Sequence, residues 1–445
     1  PSEARAAAEV VASRHRRSAA LHGLTPGSYA STAATPIGPA LTMAAWIRLW
    51  RLPVIDVVQW AWSAVIGDFD YPDHCRFVLL VDHRGRLGCY AGDGVFRHDQ
   101  LVLSDELLTA RLGNWVHVAA TVDDDGTVTV FVDGEPVATA TSPAIGPPDP
   151  ASRVRIAASA EGGVVDGFLD ADVAQPLIAV TALDDAVVER LAADRARTPL
   201  ADIVPDDALW AYWPLADEST TFTDRSGNGH HAVAVNEPVR GIGGPASDRS
   251  RGDVDHDPAT DPNRGHAVRF ASDDLIDAGW PVALSWDVPD DAASGIYAAR
   301  LVLDGQPLDE ASIAPFVVSR RTPRHPRSVA VLCATNTWLA YGRRPLSTAS
   351  TAGLTSSFYS RHLSGNPFFH VGVRLPMPQL DPFGFESPRA ARQSHSHLVR
   401  PELFAMAWLE QRHIPYEAIT DVDLHEEPEL LDRFDQESRG RWEGA

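Results

Sequence analysis

Cys333 closes a short apolar run, Val329 to Leu332, and the polar cluster Thr335-Asn336-Thr337 follows it. A thiol at the end of a buried strand is where a covalent nucleophile could be presented, yet no Gly-x-Cys-x-Gly elbow surrounds this one. His395 and His397, spaced as His-x-His, could face one side of a strand and reach a zinc or iron ion. Placed just before a helical pattern, they better suit a polar loop and first turn. His370 could also ligate a metal, but a histidine beside Phe368 and Phe369 is more often a packed core residue. Asp123, Asp124 and Asp125 are acidic enough for calcium, although three consecutive aspartates at a hairpin tip commonly form a solvated turn. His425, Glu426 and Glu427 read as a solvated charge run. The Gly-rich GIGG from Gly241 lacks a preceding strand and a following helix, so it supports no phosphate loop.

The elements that must position these residues follow from periodicity. Leu41 to Leu49 alternates around Trp46, Phe77 to Val81 reads FVLLV, and WVHVAATVDDDGTVTVFVDG from Trp115 is a pair of alternating strands around an Asp-Gly turn. This predicts an all-β region. Ala182 to Ala196 places Leu183, Val187 and Leu191 at helical spacing behind Asp184 and Asp185, an amphipathic cap. Arg240 to His266 is dominated by Gly, Pro, Asp and Arg and predicts a long connecting loop. Ser285 to Leu303 reads as a strand, a Pro289-Asp290-Asp291 turn and a second strand through Ile296, Ala298 and Arg300. Basic, proline-punctuated Arg320 to Ser328 reads as a linker. Beyond it, the Val329 run suits a buried parallel strand, Pro401 to Arg412 a helix and IPYEAIT another strand, an α/β order with ligands expected at the strands' carboxyl ends. The expected fold class is therefore multidomain β plus α/β, with an extension at 1–40, a jelly-roll sandwich at 41–200, a second small β region at 201–325 and an α/β domain from 326 to 445.

NWVHVAATVDDDGTVTVFVDGEPVATA resembles the laminin-G or concanavalin-like jelly-roll module over about 41–180, a module that binds sugars in some proteins and only packs in others. A longer ordered series, from ALWAYWPLADESTTFTDRSGNGHHAVAVNEPVRGIGG through DDLIDAGW, WDVPDDAASGIYAARL, NTWLAYG and SFYSRHLSG to HLVRPELFAMAWLEQRHIPYEAITDVDLH, resembles the large (beta) subunit family of N,N-dimethylformamidase. That resemblance implies an amidotransferase-like α/β domain, iron-assisted hydrolysis of a small linear amide to carboxylate and amine, and a small helical partner subunit within a larger oligomer. It implies a mononuclear iron held by two tyrosines and one glutamate. Tyr341 in NTWLAYG occupies one tyrosine position; Tyr359 in FYSRHLSG, or alternatively His370, offers the second. Asn336 and Trp338 are then candidates to shape the substrate pocket. The glutamate of the family lies in a His-x-Glu-Tyr-Trp motif that does not occur here, and Gln436 to Ala445 is polar where an apolar strand is expected, so the α/β domain is expected to be incomplete. The alternative is a carbohydrate-binding or adhesive jelly-roll protein with a degenerate catalytic domain.

Composition narrows the partners. The 445 residues carry a formal net charge of −22, which repels phosphate backbones and anionic lipid, so nucleic acid and membrane are not expected partners. Three cysteines cannot build a disulfide framework, and the polar opening PSEARAAAEVVASRHRRSAALHG has no apolar core of the secretory kind; both suit a cytoplasmic location.

Overall fold

The computed structural model describes residues 26–53, 62–150, 152–194, 198–247, 266–282, 285–302, 312–342, 361–370, 372–374, 380 and 398–434. They form two units: residues 1–276 with 361–370, and residues 277–360 with 371–445. Strands are numbered below in chain order.

The first unit is a jelly-roll-like sandwich. One sheet runs β15 (Thr221–Phe222), β16 (Ala232–Val235), β1 (Tyr29–Ser31), β10 (Arg155–Ile156), β3 (Trp62–Tyr71), β4 (His74–Asp82), β5 (Arg86–Gly94) and β6 (Leu101–Leu107), with the hairpin β11 (Ser159–Glu161) and β12 (Val164–Asp166) attached to β3. The other runs β17 (Val239–Ile242), β18 (Ala267–Phe270), β13 (Ala171–Ala179), β2 (Leu41–Leu49), β7 (Val116–Val122), β8 (Thr127–Val132) and β9 (Glu135–Thr141), with β14 (Leu209–Tyr212) on β13. Alternation along β2 explains why all nine of its residues are buried. Met43, Ala45, Ile47 and Leu49 enter the main core between the sheets, while Ala44 and Trp46 enter smaller apolar clusters. Helix α1 (Asp185–Asp194) contributes Val188 and Leu191 to the cluster around Ala44.

Two sequence expectations need correction. The segment 201–276 is not the start of a separate β domain: β14 to β18 add strands to both sheets of the sandwich. Each of these strands is short, so none has enough apolar surface to bury alone; β14, β16, β17 and β18 are completed by distant neighbours, and β15 extends β16. Val239–Ile242 likewise is a strand where a loop was expected, paired with β18.

The β7–β8 hairpin shows local chemistry setting register. Asp123 accepts the amides of Asp125 at 3.2 Å and Thr127 at 2.9 Å, so the acidic tip is a self-bonded turn. Gly126 closes it with φ +85°, and a Cβ there would sit 2.1 Å from the Ser142 carbonyl oxygen.

A buried ionic row crosses the second sheet. Asp172 on β13 stands opposite Arg48 on β2 and Arg269 on β18. Its Oδ2 accepts Arg48 Nε at 2.8 Å, its Oδ1 accepts Arg269 Nε at 2.7 Å, and its side chain is wholly buried. The Trp115 and Trp50 rings cover the Arg48 guanidinium at 4.9 and 5.1 Å, and Trp50 also covers Arg269 at 5.0 Å.

Beside this row, His117 on β7 packs against its cross-strand neighbour Trp46, ring centroids 5.3 Å apart, and its Nδ1 is buried without a partner. Burial pushes this imidazole down to about 4, against a smaller upward pull from Asp133. The unfolded chain therefore takes a proton that the folded chain refuses, so stability falls as pH drops from the ordinary histidine range towards 4. The expected loss is about 3 kcal/mol, since each tenfold difference in proton affinity between the folded and unfolded chain is worth about 1.4 kcal/mol. Urea unfolding of wild type and His117→Phe at neutral and acidic pH checks it: the variant should lose less stability on acidification, and equal losses would refute the role assigned to His117.

The second unit begins with a hairpin, β19 (Gly295–Leu301) paired with β20 (Ser312–Val318). Ser285 to Val288, expected as the first strand of this hairpin, is irregular, and the later strand β20 takes the ladder instead. β21 (Val329–Cys333) and β22 (Tyr416–Thr420) pair in parallel, Val329 opposite Tyr416 and Cys333 opposite Thr420. Among the described residues, three α-helices belong to the same unit: α2 (Thr335–Gly342), α3 (Val399–Gln411) and α4 (Asp421–Glu426). Among the described residues no helix is long and apolar enough to cross a membrane.

Candidate functional site

The carboxyl ends of β21 and β22 each run into the first turn of a helix. Cys333 leads to α2 and Thr420 directly to α4, so two helix starts gather at one edge, a usual setting for ligands in α/β units. Thr420 caps α4: its Oγ1 accepts the Asp423 amide at 3.2 Å, while Asp423 Oδ2 accepts the Thr420 amide at 2.9 Å.

Two carboxylates fasten α2. Asp421 Oδ2 accepts the Asn336 amide at 2.7 Å. Glu402, in the first turn of α3, accepts the Ala334 amide at 3.0 Å on one oxygen and the Trp338 indole N–H at 3.0 Å on the other. Burial raises the Glu402 pKa and the Asp421 charge adds to it, against the two hydrogen bonds. Sequence reasoning missed Glu402, although an acid just behind Pro401 in a helix's first turn was a visible signal. Glu402→Ala should lower stability by about 1–3 kcal/mol, because it orphans the Ala334 amide and the Trp338 N–H. A urea midpoint unchanged from wild type would show that the bracket carries no such energy.

The expected site residues fall as follows. Tyr341 lies in the last turn of α2, not in a loop, and is half-buried. Trp338, one turn earlier, is 3% exposed and packs with Cys333, Val399, Met406 and Ala418, so its ring is a core element held by Glu402. The Asn336 side chain is exposed at the start of α2. The polar cluster read as a loop is thus a helix's first turn. His370 is exposed and belongs to the first unit, while Tyr359, His395 and His397 lie outside the described residues. Cys333 is fully buried, and burial pushes its thiol up to about 12, with Glu402, Asp421 and Asp423 adding to the shift. It has neither the exposure nor the thiolate character of a nucleophile.

Thr335 Oγ1, also in the first turn of α2, is buried without a partner, so this edge holds an unspent polar atom. Among the described residues no group of three or more His, Cys, Asp or Glu side chains could hold a metal ion. Tyr341 is the one member of the expected tyrosine pair that is described, and the described residues by themselves do not make an iron centre. At the opposite, amino end of the parallel pair lies an open cavity of about 280 Å³ lined by Ser294, Arg324, Ser328, Tyr416 and Glu417. Its polar groups largely bond to protein: Tyr416 donates to Glu410 Oε1 at 2.8 Å, and Glu417 Oε1 accepts the Arg324 amide at 2.8 Å.

Residues 239–436 match the family described as N,N-dimethylformamidase beta subunit-like, C-terminal, and residues 24–188 match the concanavalin A-like lectin/glucanases superfamily. The N,N-dimethylformamidase beta subunit of Paracoccus aminophilus is 24% identical over 322 residues, 65% of this chain and 40% of that protein. Its namesake from an Alcaligenes species is 25% identical over 237 residues, 47% of this chain and 29% of that protein. The chain therefore spans less than half the length of these curated relatives. A heptameric SAP-like pentraxin from Limulus polyphemus aligns with 38% of this chain and 76% of its own at 17% identity and a TM-score of 0.29, a likeness too slight to build on. Taken in order, residues 24–188 are similar to the concanavalin A-like lectin superfamily and residues 239–436 to the C-terminal part of N,N-dimethylformamidase beta subunits.

Proposed function

We propose that this chain serves an amidohydrolase that cleaves a small linear amide of the formamide type into a carboxylate and an amine. The observation that carries the reading is the coincidence of the family match over 239–436 with the edge where α2, bearing Tyr341, starts beside the carboxyl ends of two parallel strands. Amide hydrolysis requires charge stabilisation on the carbonyl oxygen, an activated water and a proton for the departing amine. Iron is the cofactor we propose, held by Tyr341 with Tyr359. When bound, it would supply Lewis acidity at the carbonyl. The chain's own contribution is the bracket formed by Glu402 and Asp421, which fixes the start of α2 and hence where Tyr341 falls one turn beyond Trp338. An amidotransferase-like α/β domain, a small helical partner and a larger oligomer belong to the same proposal; the relatives are named as beta subunits.

The test is release of dimethylamine from N,N-dimethylformamide by protein purified without chelator, with formamide and N-methylformamide alongside. Turnover supports the reading. No turnover from any of the three by the product of the whole gene, together with glycan binding by residues 41–200, would replace it with the lectin alternative.

A further inference from the structure

Residues 361–370 stand about ninety positions beyond the last sandwich strand, yet they pack within the first unit. Their conformation is locally tight: the His362 amide donates to the Asn366 carbonyl at 2.8 Å, and the Gly365 amide donates to the His362 carbonyl at 2.8 Å. His362 fastens this turn to the sandwich, together with the Leu363 amide. His362 Nδ1 lies 2.8 Å from Asp273 Oδ1 and Nε2 lies 3.6 Å from Asp274 Oδ1, while the Leu363 amide donates to Asp273 Oδ2 at 3.0 Å. The side chains of His362 and Asp273 are each 1% exposed, and Phe368 covers the imidazole, ring centroids 3.7 Å apart.

We propose that His362 is the catch of a pH-sensitive latch, which holds residues 361–370 on the sandwich while the imidazole is doubly protonated and releases them when it is not. Both ring nitrogens face carboxylate oxygens, so both must carry a proton for both contacts to be favourable. The charged groups around the ring come from three stretches of chain. Asp273 and Asp274 follow β18, and Asp170 precedes β13. Arg51, just beyond β2, reaches Asp170 at 3.6 Å. Asp274 is further held by the Ser28 hydroxyl at 2.6 Å, and Asp170 accepts the Ser272 amide at 2.8 Å. With the imidazolium present, the Asp273 and Asp274 carboxylates each face a cationic ring nitrogen; without it, one imidazole lone pair points at a carboxylate.

Burial opposes the charge on His362, but the Asp273 hydrogen bond and the charges of Asp273, Asp274 and Asp170 outweigh it, so its pKa lies above the ordinary histidine value. The latch is therefore complete below the ordinary histidine range and is lost as pH rises past the raised, folded-state pKa. This device is independent of the amidohydrolase reading.

Hydrogen exchange of wild type tests it, with pulses from about pH 6 to about pH 9.5 corrected for the chemical rate. Each pH unit above the folded-state pKa should weaken the latch about tenfold. Peptides covering 361–370 should lose protection accordingly, while those covering β2 and β7 hold theirs. His362→Gln should show the open level throughout, and Asp273→Asn, which keeps an acceptor, should move the loss to lower pH. Constant protection of 361–370 across the range in wild type, or a loss shared equally with β2 and β7, would overturn the proposal.

Discussion

Asp172→Ala is expected to destabilise the sandwich by about 3–5 kcal/mol, because it strands two buried guanidiniums by removing the anion they share. Asp172 is wholly buried on β13, and the register sets it directly opposite Arg48 and Arg269. The tryptophan rings that favour the cations when paired also shield them from water when unpaired. Removing the anion is therefore worse than removing the whole row. Replacing Arg48, Asp172 and Arg269 together with apolar residues of similar volume should recover most of the loss, since the desolvation cost of all three leaves together. Urea unfolding of the single and triple variants decides it. A single variant within about 1 kcal/mol of wild type would mean that the row is solvated in solution.

The second large effect concerns Tyr341. Tyr341→Phe keeps the ring volume in the last turn of α2 and removes only the phenolic oxygen, so the fold should persist, with a urea midpoint close to wild type. If that oxygen is the metal ligand we propose, amide turnover should fall at least a hundredfold, which corresponds to about 3 kcal/mol of lost transition-state stabilisation. Iron retention should fall with it. A variant that keeps full iron and full turnover would remove Tyr341 from the proposed ligand set.

Much of the sandwich was legible because its signals are local. The β7–β8 hairpin announces itself through alternating valines around an Asp-Gly turn, and the apolar run at Val329, read as a parallel strand, does pair in parallel with Tyr416–Thr420. What escaped depends on partners far along the chain. Asp172 meets Arg48 from 124 positions away and Arg269 from 97, and no window of sequence displays that row. The strands β14 to β18 look like a separate small domain until the sheets they complete are seen. At the candidate site, a polar Thr-Asn-Thr cluster reads as a loop, and only the carboxylates of Glu402 and Asp421, brought from other helices, make it a helix's first turn. Ligand assignment for Tyr341, Tyr359 and His370 came from resemblance alone, since phenolate ligation leaves no periodic or spacing signature.

The most direct test of the amidohydrolase account is the iron content of the whole gene product, purified without chelator, measured together with its visible absorption spectrum. The account predicts about one iron per chain, as a mononuclear site requires, and a visible phenolate-to-iron band that disappears in Tyr341→Phe. Protein that carries no iron, or that carries iron with a spectrum indifferent to Tyr341, would contradict it.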